Sequence, residues 1–99
     1  MKMNFYSVYD SATNAYMRPF CFQTDGQALR SFGDEAVRAD SEISKHPEDY
    51  SLFRIGSFDD AEGELIGCAP HCLARAHELA AQSRQRQPQL DLVVGDQDA

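Results

Sequence analysis

Residues 49–58, DYSLFRIGSF, constrain the possible fold of this chain more than any other segment, because their side chains alternate between two sets. Side chains of a β-strand point in turn to opposite faces. The two sets are Phe53 and Ile55 on one face, and Tyr50, Leu52 and Arg54 on the other. The polar DDAEG that follows is typical of a turn, and ELIG, residues 64–67, can return as a short partner strand. We expect a hairpin in the middle of a sheet, with Phe53 and Ile55 in the core.

The first 23 residues have the composition of a second pair of strands. MNFYSVYD is aromatic and β-branched, SATN has the residues of a turn, and AYMRPFCFQ, residues 15–23, can return beside the first strand. Pro19 has no backbone N–H to donate to a neighbouring strand, so the return strand is predicted to lie at a sheet edge.

Two helices are predicted in the rest of the chain. Thr24 and Gln27 have the spacing of a capping box, which indicates a helix start. Apolar residues then recur at helical spacing: Leu29, Phe32, Ala36 and Val37. Residues 40–48 are predicted to form a connecting loop, with Ile43 as an anchor in the core. Pro70 suits the first turn of a second helix over residues 70–82.

This order of elements, β-β-α-β-β-α, predicts an α+β domain with a mainly antiparallel sheet of about four strands. Ninety-nine residues allow one domain, which we place at residues 1–82. Residues 83–99 are polar and Gln-rich and are predicted to be a flexible tail. The LDLVV within them leaves an alternative open, in which the tail adds a strand to a neighbouring sheet edge.

Composition excludes several classes of protein. No run of about 18 apolar residues occurs, so no membrane span or membrane partner is expected. No secretory signal is recognisable in MKMNFYSVYD, so we expect the protein to remain in the cytoplasm. Three cysteines do not form an even disulfide framework, and reduced thiols are the simpler interpretation. The formal net charge of −7 argues against tight sequence-blind binding to nucleic acid by the chain as a whole.

The pattern of polar residues favours no catalytic or metal site. CAPHCLARAH contains four residue types that bind zinc: Cys68, His71, Cys72 and His77. One short helix cannot easily surround a tetrahedral ion, so buried or surface cysteine and histidine are the simpler interpretation. The acidic clusters lack the spacing of a calcium loop, and neither a phosphate-binding glycine loop nor a nucleophile elbow occurs. We therefore expect no cofactor, no metal and no enzymatic activity.

The distribution of rings and charges is more informative. Residues 34–64 contain ten acidic residues against three basic ones, whereas residues 1–33 contain two against three. Six of the ten aromatic residues lie within residues 1–22. Along the second strand Tyr16, Arg18 and Phe20 occupy alternate positions and so are predicted to lie on one face of the sheet. Such a face could bind single-stranded nucleic acid, because bases stack on aromatic rings and arginine binds phosphate. The alternative is that these rings are simply buried in a small core.

Three segments of the chain carry a further signal: the aromatic-Pro-Phe stretch at residues 16–22, the Arg-x-Phe-Gly-Asp motif at residues 30–34, and the run HPEDYSLFRIGSFDD at residues 46–60. Together they resemble the small nonstructural protein of gokushoviruses, phages of the Microviridae with single-stranded DNA genomes. The likeness extends over roughly residues 3–80. The run at residues 46–60 is the specific part of this likeness, and the other two segments support the resemblance.

The resemblance implies a non-virion phage protein that acts in the host cytoplasm, in replication of the genome (the switch to single-stranded DNA synthesis) or in its packaging. We expect single-stranded DNA as the partner, together with a homodimer or small homo-oligomer. The residues predicted to contact nucleic acid are Lys2, Tyr16, Arg18, Phe20, Arg30 and Arg54. The alternative is an acidic protein-interaction module that docks on phage replication or capsid proteins without contacting DNA. Oligomeric state, strand order and strand preference do not follow from the sequence.

Overall fold

The computed structural model describes residues 2–84 and confirms an α+β fold. Its elements are β1 (Lys2–Asp10), β2 (Ala15–Tyr16), β3 (Phe20–Phe22), α1 (Asp25–Val37), α2 (Glu42–Lys45), a 3-10 turn (Pro47–Asp49), β4 (Tyr50–Asp59), β5 (Glu64–Arg75) and α3 over residues 76–84. The predicted tail lies outside the described residues, except that residues 83 and 84 are helical and belong to α3.

The sheet is antiparallel, and β1 and β4 form its centre. The strand order is β2-β1-β4-β5, and β3 pairs with β1 on the same side as β2. β1 and β4 pair along their whole lengths, from Lys2 opposite Asp59 to Asp10 opposite Tyr50. The predicted turn after β4 forms a hairpin with β5, and Gly63 takes the left-handed φ of +65° there.

One face of the sheet, here called the inner face, carries the core. Tyr6 and Leu52 are fully buried on it, beside Val8. All three helices contribute buried side chains to the same cluster, namely Ala28, Phe32 and Ala36 from α1, Ile43 from α2, and Ala76 from α3. The opposite face of the sheet is here called the outer face.

The predicted capping box is present and fixes where α1 begins. Thr24 Oγ1 accepts a hydrogen bond from the Gln27 backbone N–H at 3.2 Å, and Gln27 Oε1 accepts one from the Thr24 N–H at 3.2 Å. Ser41 caps α2 in a similar way, where a loop was expected, and Ile43 is buried as predicted. These caps fix where α1 and α2 begin, and the buried side chains of both helices pack against the inner face.

The two faces of β4 are reversed relative to the sequence prediction. Leu52 is fully buried against the helices, whereas Phe53 and Ile55 are only half-buried. Alternation separated the two sets correctly, but both sets contain large apolar residues. The choice between them depends on which face the helices cover, and alternation carries no information about that.

The predicted second helix begins later than expected, because β5 continues through Pro70 to Arg75. Pro70 lies between the cross-strand pairs Gly56–Gly67 and Arg54–His71, where the register shifts. It is also on an edge strand within the described sheet. A proline at such a position leaves no hydrogen bond of the ladder unmade.

The return strand predicted at residues 15–23 is divided into β2 and β3 by a bulge at residues 17–19. Tyr16 pairs with Tyr9 and Phe20 pairs with Tyr6, so the three residues between these pairs on this side face only two on β1. One extra residue reverses the alternation of side chains. Tyr16 and Phe20 therefore lie on opposite faces, although their parity predicted a shared one.

Candidate nucleic-acid interface

Three aromatic rings form a cluster on the outer face, here called the ring patch: Tyr9, Tyr16 and Phe53. The Tyr9 and Tyr16 ring centroids are 4.9 Å apart, and Phe53 lies edge-on to both, at 6.1 Å from Tyr9 and 5.6 Å from Tyr16. Tyr16 is 45% exposed. The Tyr9 hydroxyl donates to Asn14 Oδ1 at 3.0 Å, which anchors this ring to the β1–β2 turn. The cluster is consequently ordered and accessible.

The register of the sheet places a cation beside the ring patch. Tyr9 is opposite Ser51, and Ser51 is opposite Arg75 on β5, so the three residues form one row on the outer face. Two strand spacings separate the Tyr9 and Arg75 backbones by roughly 10 Å. Arg75 is exposed and forms no ion pair or hydrogen bond through its side chain within residues 2–84. Its guanidinium is thus available to an anion beside the rings.

Arg18 is held on the other side of the patch by the bulge at residues 17–19. The Met17 N–H donates to the Val8 carbonyl at 2.8 Å, and Ser7 Oγ donates to the Met17 carbonyl at 2.6 Å. Ser7 is on the outer face, opposite Phe53. The bulge therefore fixes the backbone next to Arg18 against the outer face, and Arg18 itself is exposed.

Arg54 lies on the inner face, away from the ring patch, and is bound to a carboxylate. It donates to Asp25 Oδ2 in the first turn of α1, and the buried Tyr6 hydroxyl donates to Asp25 Oδ1 at 2.8 Å. Burial alone would raise the pKa of Asp25, but the hydrogen bonds from Tyr6 and Arg54, with the charges of Arg54 and His71, hold it below its usual value. Burial first, then the hydrogen bond to Asp25, raises the pKa of Tyr6 to about 12.

The other predicted contact residues are also distant from the ring patch. Lys2 is at the far end of β1, opposite Asp59, and Arg30 is exposed on α1. Phe20 packs against Tyr6 with ring centroids 5.9 Å apart and lines an apolar cavity between the sheet and the helices. Of the six predicted residues, the structure brings Tyr16 and Arg18 to the ring patch.

Three residues at this site were missed from sequence. The sequence shows Tyr9 only as one of the clustered aromatics, its alternation predicts Phe53 in the core, and the helix predicted over residues 70–82 includes Arg75. Tyr9 is three positions from the buried Tyr6, and Phe53 is one position from the buried Leu52. An odd spacing along a strand places a side chain on the opposite face. One known buried residue on each strand would therefore have placed Tyr9 and Phe53 on the outer face. Nothing in the sequence around Pro70 indicates that β5 reaches Arg75.

The ion pairs separate the cations of the chain into two groups. Within residues 2–84, three of the eight lysines and arginines pair with carboxylates: Arg38 with Glu35, Lys45 with Glu42, and Arg54 with Asp25. The others form no ion pair with described residues: Lys2, Arg18, Arg30, Arg75 and Arg84. Arg18 and Arg75 are the members of this second group that flank the rings.

Comparison with known protein families identifies a match. The chain matches the family described as phage ORF5 protein, and the match extends over residues 3–79. The chain belongs to the phage ORF5 protein family. The matched region runs from β1 into α3 and so includes the ring patch of this phage protein and all of its described sheet except Lys2. No curated protein and no solved structure matches it.

The cysteine and histidine residues of this family member do not converge in the structure. Cys72 is opposite the outer-face residue Phe53, whereas His71 is opposite the inner-face residue Arg54. Among the described residues, the one group with cation-ligand spacing is the exposed set His46, Glu48 and Asp49 on the 3-10 turn. No helix in the described part of the chain is long and apolar enough to cross a membrane.

Proposed function

We propose that this phage protein is a non-enzymatic, cofactor-free single-stranded DNA-binding protein that holds DNA on its outer sheet face. The observation that carries the proposal is the ring patch, with the exposed Tyr16 at its surface and, in the same row, Arg75, which forms no ion pair with residues 2–84. Bases stack on aromatic faces whatever their identity, and arginine binds the phosphate that follows each base.

Each side chain of the patch has a defined role in this proposal. Tyr16 and Phe53 present ring surface to successive bases, and Tyr9 supports both from the centre of the sheet. Arg75 and Arg18 contact phosphates on the two sides of the rings. Arg54 contributes to stability instead, because its guanidinium is bound to Asp25 on the opposite face.

The net charge of −7 limits the affinity without excluding DNA. With two phosphates neutralised, log K should fall with log salt at a slope of about −1.4 for a single strand. A dissociation constant in the range of about 10⁻⁴ to 10⁻⁶ M is typical of such non-specific contacts. A protein of this kind coats or escorts a strand and releases it readily.

The phage family and the resemblance to the gokushovirus nonstructural protein give the proposal its setting. The strand bound would be the single-stranded phage genome, during the switch to single-strand synthesis or during packaging. We place this activity in the host cytoplasm, with the protein absent from the finished virion.

A labelled oligo-dT titrated with the protein at 50 and 200 mM salt tests the proposal. We expect binding that weakens about sevenfold over this fourfold change in salt. Arg75→Gln should reduce the magnitude of the slope by about 0.7. Arg30→Gln is the matched control and should leave binding unchanged, because Arg30 lies on α1 and forms no ion pair with the described residues. Absence of binding at about 100 µM protein at the lower salt would refute the proposal.

A second candidate is favoured by the acidic turn that joins β4 and β5. It carries Asp59, Asp60, Glu62 and Glu64, and the last three are exposed. Such a surface could dock on a basic region of a phage replication or capsid protein. If oligo-dT does not bind while the purified replication or coat protein does, and charge reversal at Glu62 and Glu64 abolishes that complex, this second function is correct.

A further inference from the structure

The outer face is apolar well beyond the ring patch. Met3, Phe58 and Leu65 form one cross-strand row on it, and Leu65 is 67% exposed. Between this row and the ring patch lies an open cavity of about 280 Å³, here called the notch, lined by Phe5, Pro19, Ile55, Gly56, Ile66 and Gly67, among others. The solvent-facing side of an antiparallel sheet is ordinarily polar, so this face has the composition of a covered surface.

Two glycines form the floor of the notch, and only one of them has an intrachain reason to be glycine. Gly56 and Gly67 are cross-strand partners in the row of Phe5. A Cβ added at Gly56 would lie 2.5 Å from the Ile66 carbonyl oxygen, whereas one added at Gly67 would meet nothing within 4 Å. Glycine inside a strand weakens it, and such a glycine often marks a site where another backbone approaches closely.

The charges of the outer face are arranged along its length. The acidic turn at residues 59–64 lies at one end and Arg75 lies at the other, beside the rings, while Arg18 lies in the bulge between Tyr16 and the notch residue Pro19. The notch is between the two ends. If a second, identical face is laid on the first with a two-fold axis through the notch, each acidic turn approaches the arginines of the other copy.

We propose that a second copy of this chain covers the outer face across a two-fold axis at the notch. Gly67 admits the backbone of the partner strand, and Leu65 and Phe58 pack around the centre. The acidic turns stabilise the antiparallel arrangement through their attraction to Arg18 and Arg75. The partner's turn then lies over the ring patch, so DNA and the second copy compete for one surface.

Sedimentation equilibrium of the full chain, without DNA, tests the interface directly. We expect a concentration-dependent dimer, and Gly67→Val should raise its dissociation constant at least about tenfold. At a concentration where the parent chain is monomeric, the thermal midpoint of Gly67→Val should stay the same or rise. Leu65→Glu should have the same effect on the mass. Val37→Glu is the matched control, because Val37 is a similarly exposed apolar residue on α1, and its dimer should persist.

A monomer at all concentrations up to about 500 µM would overturn the proposal, as would Gly67→Val and Leu65→Glu dimers as strong as that of the parent chain. The competition rests on the proposed DNA binding and has a separate readout. Excess oligo-dT should shift the mass from dimer to a DNA-bound monomer. A dimer that forms but ignores oligo-dT would refute DNA binding on this face and leave the interface intact.

Discussion

Arg54 on β4 donates a hydrogen bond to Asp25 in the first turn of α1 and so joins the sheet to the start of its longest described helix. Both side chains are about one third exposed, at 34% each. Because solvent screens part of the attraction, Arg54→Gln should lower the free energy of unfolding by about 1 kcal/mol. A urea titration of Arg54→Gln, Asp25→Asn and the double variant measures their coupling.

The same variants separate a stabilising arginine from a DNA-contacting one. Arg54→Gln should bind oligo-dT as well as the parent chain does under conditions where it is folded, whereas Arg75→Gln should bind more weakly. If the coupling energy is near zero, or if Arg54→Gln loses DNA affinity, the Arg54 side chain is not held by Asp25 and is free to contact DNA.

Leu52 and Phe53 are neighbours with different functions, and their truncations should differ accordingly. Leu52 is fully buried, so Leu52→Ala should cost about 3 kcal/mol of unfolding free energy. Phe53 is half-buried on the outer face, so Phe53→Ala should cost about half as much and should weaken oligo-dT binding more. Urea unfolding beside an oligo titration checks both, and the opposite order of stability would mean that the helices cover the other face.

Tyr6 should make stability fall at alkaline pH. Its pKa is about 12 in the folded protein, against an ordinary value of 10.0. Since the folded state retains a proton that the unfolded state releases, the contribution of Tyr6 is complete below pH 10 and is lost as the pH rises toward 12. The free energy of unfolding should therefore fall between pH 10 and 11.5.

Tyr6→Phe provides the control for this pH dependence. It removes a hydrogen bond, so it should be less stable than the parent chain by about 1 kcal/mol at pH 8. It should also lose less stability between pH 10 and 11.5. Tyr50, whose pKa is also raised by burial and nearby acidic residues, is unchanged in both proteins. Identical slopes for the two proteins would show that the Tyr6 hydroxyl is exposed to solvent.

The features that could be predicted from sequence are those set by residues close together in the chain. The capping box at Thr24 and Gln27 marked the start of α1 because its hydrogen bonds form within one turn. Ile43 was recognisable as an anchor in a polar stretch, and it is buried. The strands β1 and β4 followed from composition and alternation.

The features that could not be predicted depend on contacts between distant segments. The outer face is defined by where α1, α2 and α3 pack, which decides between Leu52 and Phe53. The bulge at residues 17–19 inserts one residue opposite β1 and separates Tyr16 from Phe20. Pro70 is compatible with a helix start or with an edge strand, and only pairing with β4 selects the strand. The positions of the residues in the candidate site depend on these three features, namely the helix packing, the bulge and the pairing of β5 with β4.

The most direct test of the central claim is to map single-stranded DNA on the folded protein by NMR. Titration of the labelled chain with dT8 should shift amide signals of the outer face, at Ser7, Tyr9, Tyr16, Arg18, Ser51, Phe53 and Arg75. Signals of α1 around Arg30 should stay in place. Shifts confined to the helices, or no shifts at about 1 mM DNA in low salt, would contradict the assignment of the ring patch as a DNA-binding surface.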